Sequence, residues 1–202
     1  MLKYENLVKT EGYNLIAGMD EAGRGPLAGA VFCAMCIMPL DENKIIQGVN
    51  DSKKLTPSKR LELYKKIKET AICYKVCSVG EEIIDEVNIL EATRLGMKKC
   101  LEQIEIKPDY VLCDYVAGLS LKTPFKTIIK GDALSYSIAC ASILAKVERD
   151  LYMEKLASEY PQYQFNKHKG YATKLHYQLI SQFGISPVHR KSFLKNLEEH
   201  IG

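Results

Sequence analysis

No segment of this 202-residue chain approaches membrane-spanning length. The opening MLKYENLVKTEGYN lacks the apolar run of a secretory signal. Internal repeats and low-complexity tracts are absent too, which excludes solenoid and fibrous architectures. Cysteine is present seven times, an odd number without a signal, so free thiols in a reducing cytoplasm are expected. Cys33 and Cys36 form a CxxC, but no second pair of matching spacing follows. On a strand their odd offset places the thiols on opposite faces, so they read as core residues, not zinc ligands.

One further absence is local. From Pro161 to Ser192 there is no Asp or Glu, although the chain as a whole is nearly balanced at +3. That stretch holds Lys167, Lys169, Lys174, Arg190, Lys191, three of the four histidines, and Tyr163, Phe165, Tyr171, Tyr177 and Phe183. Basic groups interleaved with aromatics suit a nucleic-acid surface. A solvated helical face beside a small core fits equally well. His168 and His189 are expected to be exposed bystanders.

What is present is an ordinary globular composition, 47% apolar and 26% charged, enough for one substantial domain with an appendage. The chain YNLIAGM reads as a first strand, and Ala30–Met38 as its hairpin partner after a glycine-rich turn. Thr56-Pro57 caps and opens a helix. AICYKVCSV is a third strand, and Asp85–Gln103 has helical spacing with a break near Asn88. YVLCD and FKTIIK follow as strands. The long helix SYSIACASILAKVERDLYMEKLASEY begins with small residues that allow close packing on a sheet. Helices over Thr173–Phe183 and after Ser192 complete an α/β pattern with a mixed sheet.

Acids recur where these strands end: Asp20 and Glu21, Asp114, and Asp132. An acid closing an apolar strand is costly unless solvated or paired. Four converging at one sheet end would repel one another, and a divalent cation removes that cost. Oxygen ligands favour Mg²⁺ or Mn²⁺, which suits hydrolysis of a phosphodiester. Taken singly, each acid fits a cap or turn as well; Asp132 could cap the helix beginning near Ala133. Asp150 reads as a helix-surface ion pair, and Asp51, Glu81 and Glu82 as surface groups. Gly23-Arg24-Gly25, directly after the first acids, lets backbone approach a ligand without Cβ obstruction.

The residues Asp20-Glu21-Ala22-Gly23-Arg24-Gly25-Pro26, Asn50-Asp51-Ser52-Lys53-Lys54-Leu55, Lys130-Gly131-Asp132, Ser142 to Val147 with Arg149-Asp150, and His168-Lys169-Gly170-Tyr171 together resemble bacterial ribonuclease HII. The motifs run in the family's order from the first strand to Arg190. The resemblance implies a ribonuclease H-like fold, a mixed five-stranded sheet flanked by helices with a small C-terminal helical extension. It implies a catalytic domain over 1–160 and a substrate-binding extension over 161–202. It carries the catalytic and metal-ligand roles onto Asp20, Glu21, Asp114 and Asp132, with Asp109 as substitute for Asp114, because Tyr115 stands where relatives often have glycine.

Implied with it is an endonuclease that needs Mn²⁺ or Mg²⁺. It would cut the RNA of RNA–DNA hybrids and nick 5′ of single ribonucleotides in duplex DNA, leaving 5′-phosphate and 3′-hydroxyl ends. Gly23, Arg24 and Gly25 would read the 2′-hydroxyl, and Tyr171 would stack on the neighbouring deoxyribose. Lys53, Lys54, Lys146, Lys169 and Arg190 would contact phosphates. A monomer with no membrane partner is expected. Two other classes remain to be weighed: a phosphohydrolase acting on a small ester, and a non-catalytic nucleic-acid-binding module.

Overall fold

The computed structural model describes residues 1–195. Five strands, β1 (Ile16–Ala22), β2 (Val31–Ile37), β3 (Cys73–Val79), β4 (Tyr110–Asp114) and β5 (Phe125–Ile128), form one sheet in the order β3-β2-β1-β4-β5. β1 pairs antiparallel with β2 and parallel with β4, so the sheet is mixed, as expected. The helices are α1 (Lys3–Thr10), α2 (Pro57–Thr70), α3 (Glu81–Val87), α4 (Ile89–Gln103), α5 (Gly131–Leu134), α6 (Tyr136–Glu159), α7 (Phe165–His168) and α8 (Lys174–Phe183).

Alternation along the strands divides the core into two layers. Cys36 and Ala34 of β2 pack with Leu63 and Ile67 of α2 and Ile143 and Leu144 of α6. Cys33 and Met35 face the other way, onto Met97 and Cys100 of α4. The two thiols of the CxxC thus lie on opposite faces, and all seven cysteines are free. α6 lies close on the sheet because Gly18 has no side chain: a Cβ there would stand 2.0 Å from the Ser137 carbonyl carbon.

The local signals work as their chemistry predicts. Thr56 Oγ1 accepts from the Lys59 amide at 3.3 Å to start α2. Asn88, at φ 71°, separates α3 from α4 and caps α4 through the Leu90 and Glu91 amides. Three expectations change. β1 runs through Asp20 and Glu21 instead of ending before them, because Ala22 still pairs with Phe32 of β2. Ser135, not Asp132, caps the long helix, accepting from the Ile138 amide at 3.3 Å. α1 was not foreseen; its anchor is the buried Glu5, which accepts from Ser135 Oγ (2.6 Å) and the Ser137 amide (2.9 Å). The helix expected after Ser192 lies largely outside the described residues, beyond a short turn over Lys191–Phe193.

The acid-free C-terminal segment packs on the last turns of α6: Tyr163, Phe165 and Leu179 join Met153, Leu156 and Ala28 in a cluster of their own. It is also stitched to the turn after β1. The Leu27 amide donates to Gly170 O, Gly29 to Val188 O, and Arg190 to Leu27 O. This stitching brings residues some 150 apart into one wall.

Candidate active site

Parallel pairing of β1 with β4 and of β4 with β5 aligns their carboxyl ends, which is where Asp20, Glu21 and Asp114 stand. Asp132, in the first turn of α5 just after β5, joins them. Asp20 is 4% exposed; its Oδ1 accepts from the Glu21 amide at 2.7 Å and its carboxylate accepts from the Ser142 hydroxyl. Asp114 Oδ1 accepts from the Gly131 amide at 2.7 Å, which ties β4 to the turn carrying Asp132. Glu21 Oε1 takes a 3.4 Å contact from Arg24, whereas its buried Oε2 has no partner.

These acids repel. Burial, and then the charges of Glu21 and Asp114, push the Asp20 carboxyl well above the ordinary carboxylate range. Burial also raises Glu21, with Asp114 adding to it against the counterpull of Arg24. Asp132 is raised by burial and by Asp51. Lys53 Nζ lies 3.8 Å from Asp132 Oδ2; burial lowers its pKa, but Asp132, Asp20, Asp51 and Asp114 outweigh that and raise it. Among the described residues, no three His, Cys, Asp or Glu side chains are gathered closely enough to hold a metal ion as they stand.

That donor set fits a hard divalent cation. It is all oxygen, its members raise one another's pKa, and it includes one buried carboxylate oxygen without a hydrogen bond. Asp20, Glu21, Asp114 and Asp132 are the residues that would hold it. Asp109 is removed as a substitute: it lies before β4, at the opposite end, where it accepts from the Asn14 and Leu15 amides. Sequence reasoning passed over two neighbours. Asp51 reaches Asp132, and Ser142 links Asp20 to Ser52, its Oγ 2.9 Å from Ser52 Oγ. Both stand in segments that carry the family resemblance, Asn50 to Leu55 and Ser142 to Val147, which was the available signal, although Asp51 reads singly as a surface group.

A cleft of about 400 Å³ opens beside the acids, lined by Glu21, Gly23, Arg24, Gly25, Lys53, Lys146 and Tyr171 among others. Gly23 needs to be glycine for the fold: its φ is +97°, and a Cβ would stand 2.1 Å from Arg149 Nε. Gly25 does not. Its φ is unexceptional and a Cβ would enter open space. Lys146, whose pKa burial lowers against the pull of Asp150, pairs with Asp150 at 2.5 Å, the ion pair expected for that acid. Lys53 and Lys146 therefore border the cleft. Lys54 is exposed nearby, and Lys169 is engaged by Glu154 of α6.

Arg190 requires correction. It is fully buried, and its guanidinium donates to the carbonyls of Gly23, Arg24 and Gly29. No phosphate can reach it there, so its part is to hold the turn. Tyr171, 42% exposed, does face the cleft, above the Arg149 guanidinium at 5.6 Å from its ring centre.

His168 and His189 depart from the expected exposure: both are buried, as is His176. His189 Nδ1 accepts from the Ser186 amide at 2.9 Å, so its proton is on Nε2 and points at His176 Nε2, 3.1 Å away. His176 in turn donates from Nδ1 to Tyr171 O at 3.0 Å. His168 accepts the Gly170 amide on Nδ1 and donates from Nε2 to Tyr163 O. Burial lowers all three, His176 to about 3 and His189 to about 4. They are neutral struts under Gly170 and Tyr171. The two readings of the acid-free stretch thus divide by residue: Tyr163, Phe165 and the histidines make a small core, while Tyr171 and Lys174 face outward.

Residues 17–196 match the family model described as Ribonuclease HII. The chain is 55% identical over 193 residues to ribonuclease HII of Caldicellulosiruptor saccharolyticus, covering 96% of this chain and 93% of that one. It is 50% identical over 194 residues to ribonuclease HII of Clostridioides difficile, covering 96% and 75%. Among solved structures, ribonuclease H2 from Pyrococcus horikoshii OT3 superposes with a TM-score of 0.76 at 29% identity, covering 93% of this chain and 99% of that one.

Proposed function

This chain belongs to the ribonuclease HII family, metal-dependent hydrolases that cut the RNA strand of RNA–DNA hybrids, and from that premise we propose that it also nicks duplex DNA 5′ of a single embedded ribonucleotide. The observation that carries this reading is the shared cleft. Glu21 of the acid cluster and the Gly23–Gly25 turn border one cavity, and Gly25 leaves open space on the side where a sugar would approach. A lone ribonucleotide in a duplex differs from its neighbours only by its 2′-hydroxyl. Backbone groups of Gly23, Arg24 and Gly25 are placed to bond it, and the Tyr171 ring is placed to press on a following sugar that lacks one.

Asp20, Glu21, Asp114 and Asp132 would hold Mg²⁺ or Mn²⁺, which when bound activates water and stabilises the leaving oxygen, in a two-ion arrangement that leaves 5′-phosphate and 3′-hydroxyl ends. The chain's own residues do the rest. Ser142 and the Glu21 amide orient Asp20. The Gly131 amide fixes Asp114 so that one of its oxygens stays free. Lys53 and Lys146, with Lys54 alongside, offer positive charge to the backbone phosphates without reading sequence.

A small phosphate ester would not need such a wall, and a mere binding module would not place repelling acids against a phosphate backbone. We infer a monomer that serves ribonucleotide removal in DNA repair within a reducing cytoplasm, consistent with seven free thiols. No helix among the described residues is long and apolar enough to cross a membrane. The test is cleavage of three duplexes with Mg²⁺ or Mn²⁺: one ribonucleotide in DNA, a long hybrid, and plain DNA. The first two should be cut and the third spared; a folded protein that leaves the first intact would sink the proposal. Tyr171→Ala should cost more on the first substrate than on the second. Equal losses would mean that the ring only packs.

A further inference from the structure

Two fully buried arginines, Arg149 and Arg190, lie beneath the turn, and among the described residues neither meets a carboxylate in an ion pair. A buried guanidinium is costly unless its donors are used. Arg190 uses them on the turn itself: Nη2 donates to Gly23 O at 2.7 Å, Nη1 to Arg24 O at 2.9 Å, and Nε to Gly29 O at 2.9 Å. Arg149 donates from Nε to Ala30 O at 3.4 Å, and from Nη2 to Ala28 O at 3.3 Å and Lys169 O at 3.0 Å. It thereby joins the turn to the segment that carries Tyr171.

The consequence lies on the other side of each peptide plane. All peptide bonds here are trans, so a carbonyl and the following N–H point in opposite directions. If the Gly23 and Arg24 carbonyls are held inward, the amides of Arg24 and Gly25 must point outward. Among the described residues these two amides have no hydrogen-bond partner. They border the cleft, where Gly25 contributes no Cβ to block access.

We propose that Arg190 is a positioning residue for ribose recognition: by holding two successive carbonyls from inside, it presents the Arg24 and Gly25 amides as donors to the 2′-oxygen of the substrate. The inference rests on the reading of Gly23–Gly25 as the sugar-sensing turn. It also explains why arginine is needed. A planar fork spans two carbonyls at once, whereas an ammonium is a single compact donor point that cannot hold both planes.

The test compares wild type with Arg190→Lys, using KM for the single-ribonucleotide duplex and the inhibition constant of an all-DNA duplex of the same sequence. The wild-type preference for the ribonucleotide should fall about tenfold in the variant, the worth of roughly one hydrogen bond, with kcat changing less. A variant that unfolds at the wild-type temperature yet keeps the full preference would overturn the proposal. Should Arg190→Lys not fold, the amide resonances of Arg24 and Gly25 decide, read in an Asp20→Asn background that leaves substrate intact. Both should shift with the ribonucleotide duplex and not with the all-DNA duplex; no difference between the two overturns the inference. A wild-type enzyme without any preference would instead remove the sugar-sensing reading itself, a result distinct from either.

Discussion

Two clusters of buried titratable side chains stand within this one molecule, four acids at the carboxyl end of the sheet and three histidines under Tyr171, and they meet the cost of burial in opposite ways. Each histidine proton has an acceptor and every ring nitrogen a partner, so the rings stay neutral and the cluster is closed. The acids crowd one another, which with burial raises the pKa of Asp20 and Glu21, and they leave Glu21 Oε2 without a partner. A buried network that is satisfied from within fixes a shape; one that is left unsatisfied is an invitation to a ligand. The contrast separates the element that holds the cleft wall from the element proposed to do the chemistry.

The contrast breaks most visibly at Asp20. Asp20→Asn should lower cleavage by about 10³-fold or more, roughly 4 kcal/mol of transition-state stabilisation, while largely sparing duplex binding. In cation-free buffer the same variant should melt higher than wild type, because one repelling charge is gone. Normal cleavage by a folded Asp20→Asn protein would mean that the acids are not the metal site.

Next in size is the response to cation. Mg²⁺ or Mn²⁺ at a hundred times its dissociation constant should stabilise the wild-type protein by about 2.7 kcal/mol. Hydrogen exchange should show the gain around β1, β4 and α5, with little change across α7 and α8. Protection that rose equally in both regions would erase the distinction between the clusters.

Acid should act on the two clusters with opposite signs. His176 and His189 have folded pKa values below the ordinary 6.5, at about 3 and about 4, so the unfolded chain takes up protons first as pH falls. Each should withdraw about 2 kcal/mol of stability between pH 7 and pH 5. The raised carboxyls of Asp20, Glu21 and Asp132 work the other way in cation-free protein, gaining stability as pH falls through their folded values. Urea midpoints of the Asp20→Asn protein, in which the second contribution is reduced, should therefore drop from pH 7 to pH 5. A midpoint that held steady would show that the histidines are not the neutral struts the hydrogen bonds require.

The smallest effects on stability belong to the turn between the clusters. Gly23→Ala must force a left-handed backbone and meet Arg149, and should cost on the order of 1–3 kcal/mol in thermal unfolding. Gly25→Ala should change stability by less than about 0.5 kcal/mol, yet impair cleavage of the single-ribonucleotide duplex. Unimpaired cleavage by Gly25→Ala would mean that the open space beside it is not used.

Much of the fold was legible locally. The Thr56 cap, the break at Asn88 and the strand patterns each follow from short-range chemistry, and the structure contains them. α1 was not legible, because its helix is anchored by Glu5 on Ser135 and Ser137, about 130 residues away. The acids could be named from their strand ends, and the family resemblance assigned them together; that they share a site depends on strand order. Arg190 and the histidines were misread for one reason. Cationic or polar side chains in an acid-free stretch look solvated until the chain's own carbonyls and ring nitrogens are brought to them.

Sequence alone therefore determined most of the elements, the family, and which residue types could carry metal chemistry, since those depend on neighbours along the chain. Only the tertiary structure decided which charges are left unsatisfied. Parallel pairing of β4 beside β1 gathers the acids and leaves Glu21 Oε2 without a hydrogen bond. The stitching of Val188–Arg190 onto Leu27–Gly29 buries a cation whose three nitrogens all donate to backbone carbonyls. Burial and partnership are properties of the folded neighbourhood, and they set whether a charge supports the wall of this cleft or acts within it.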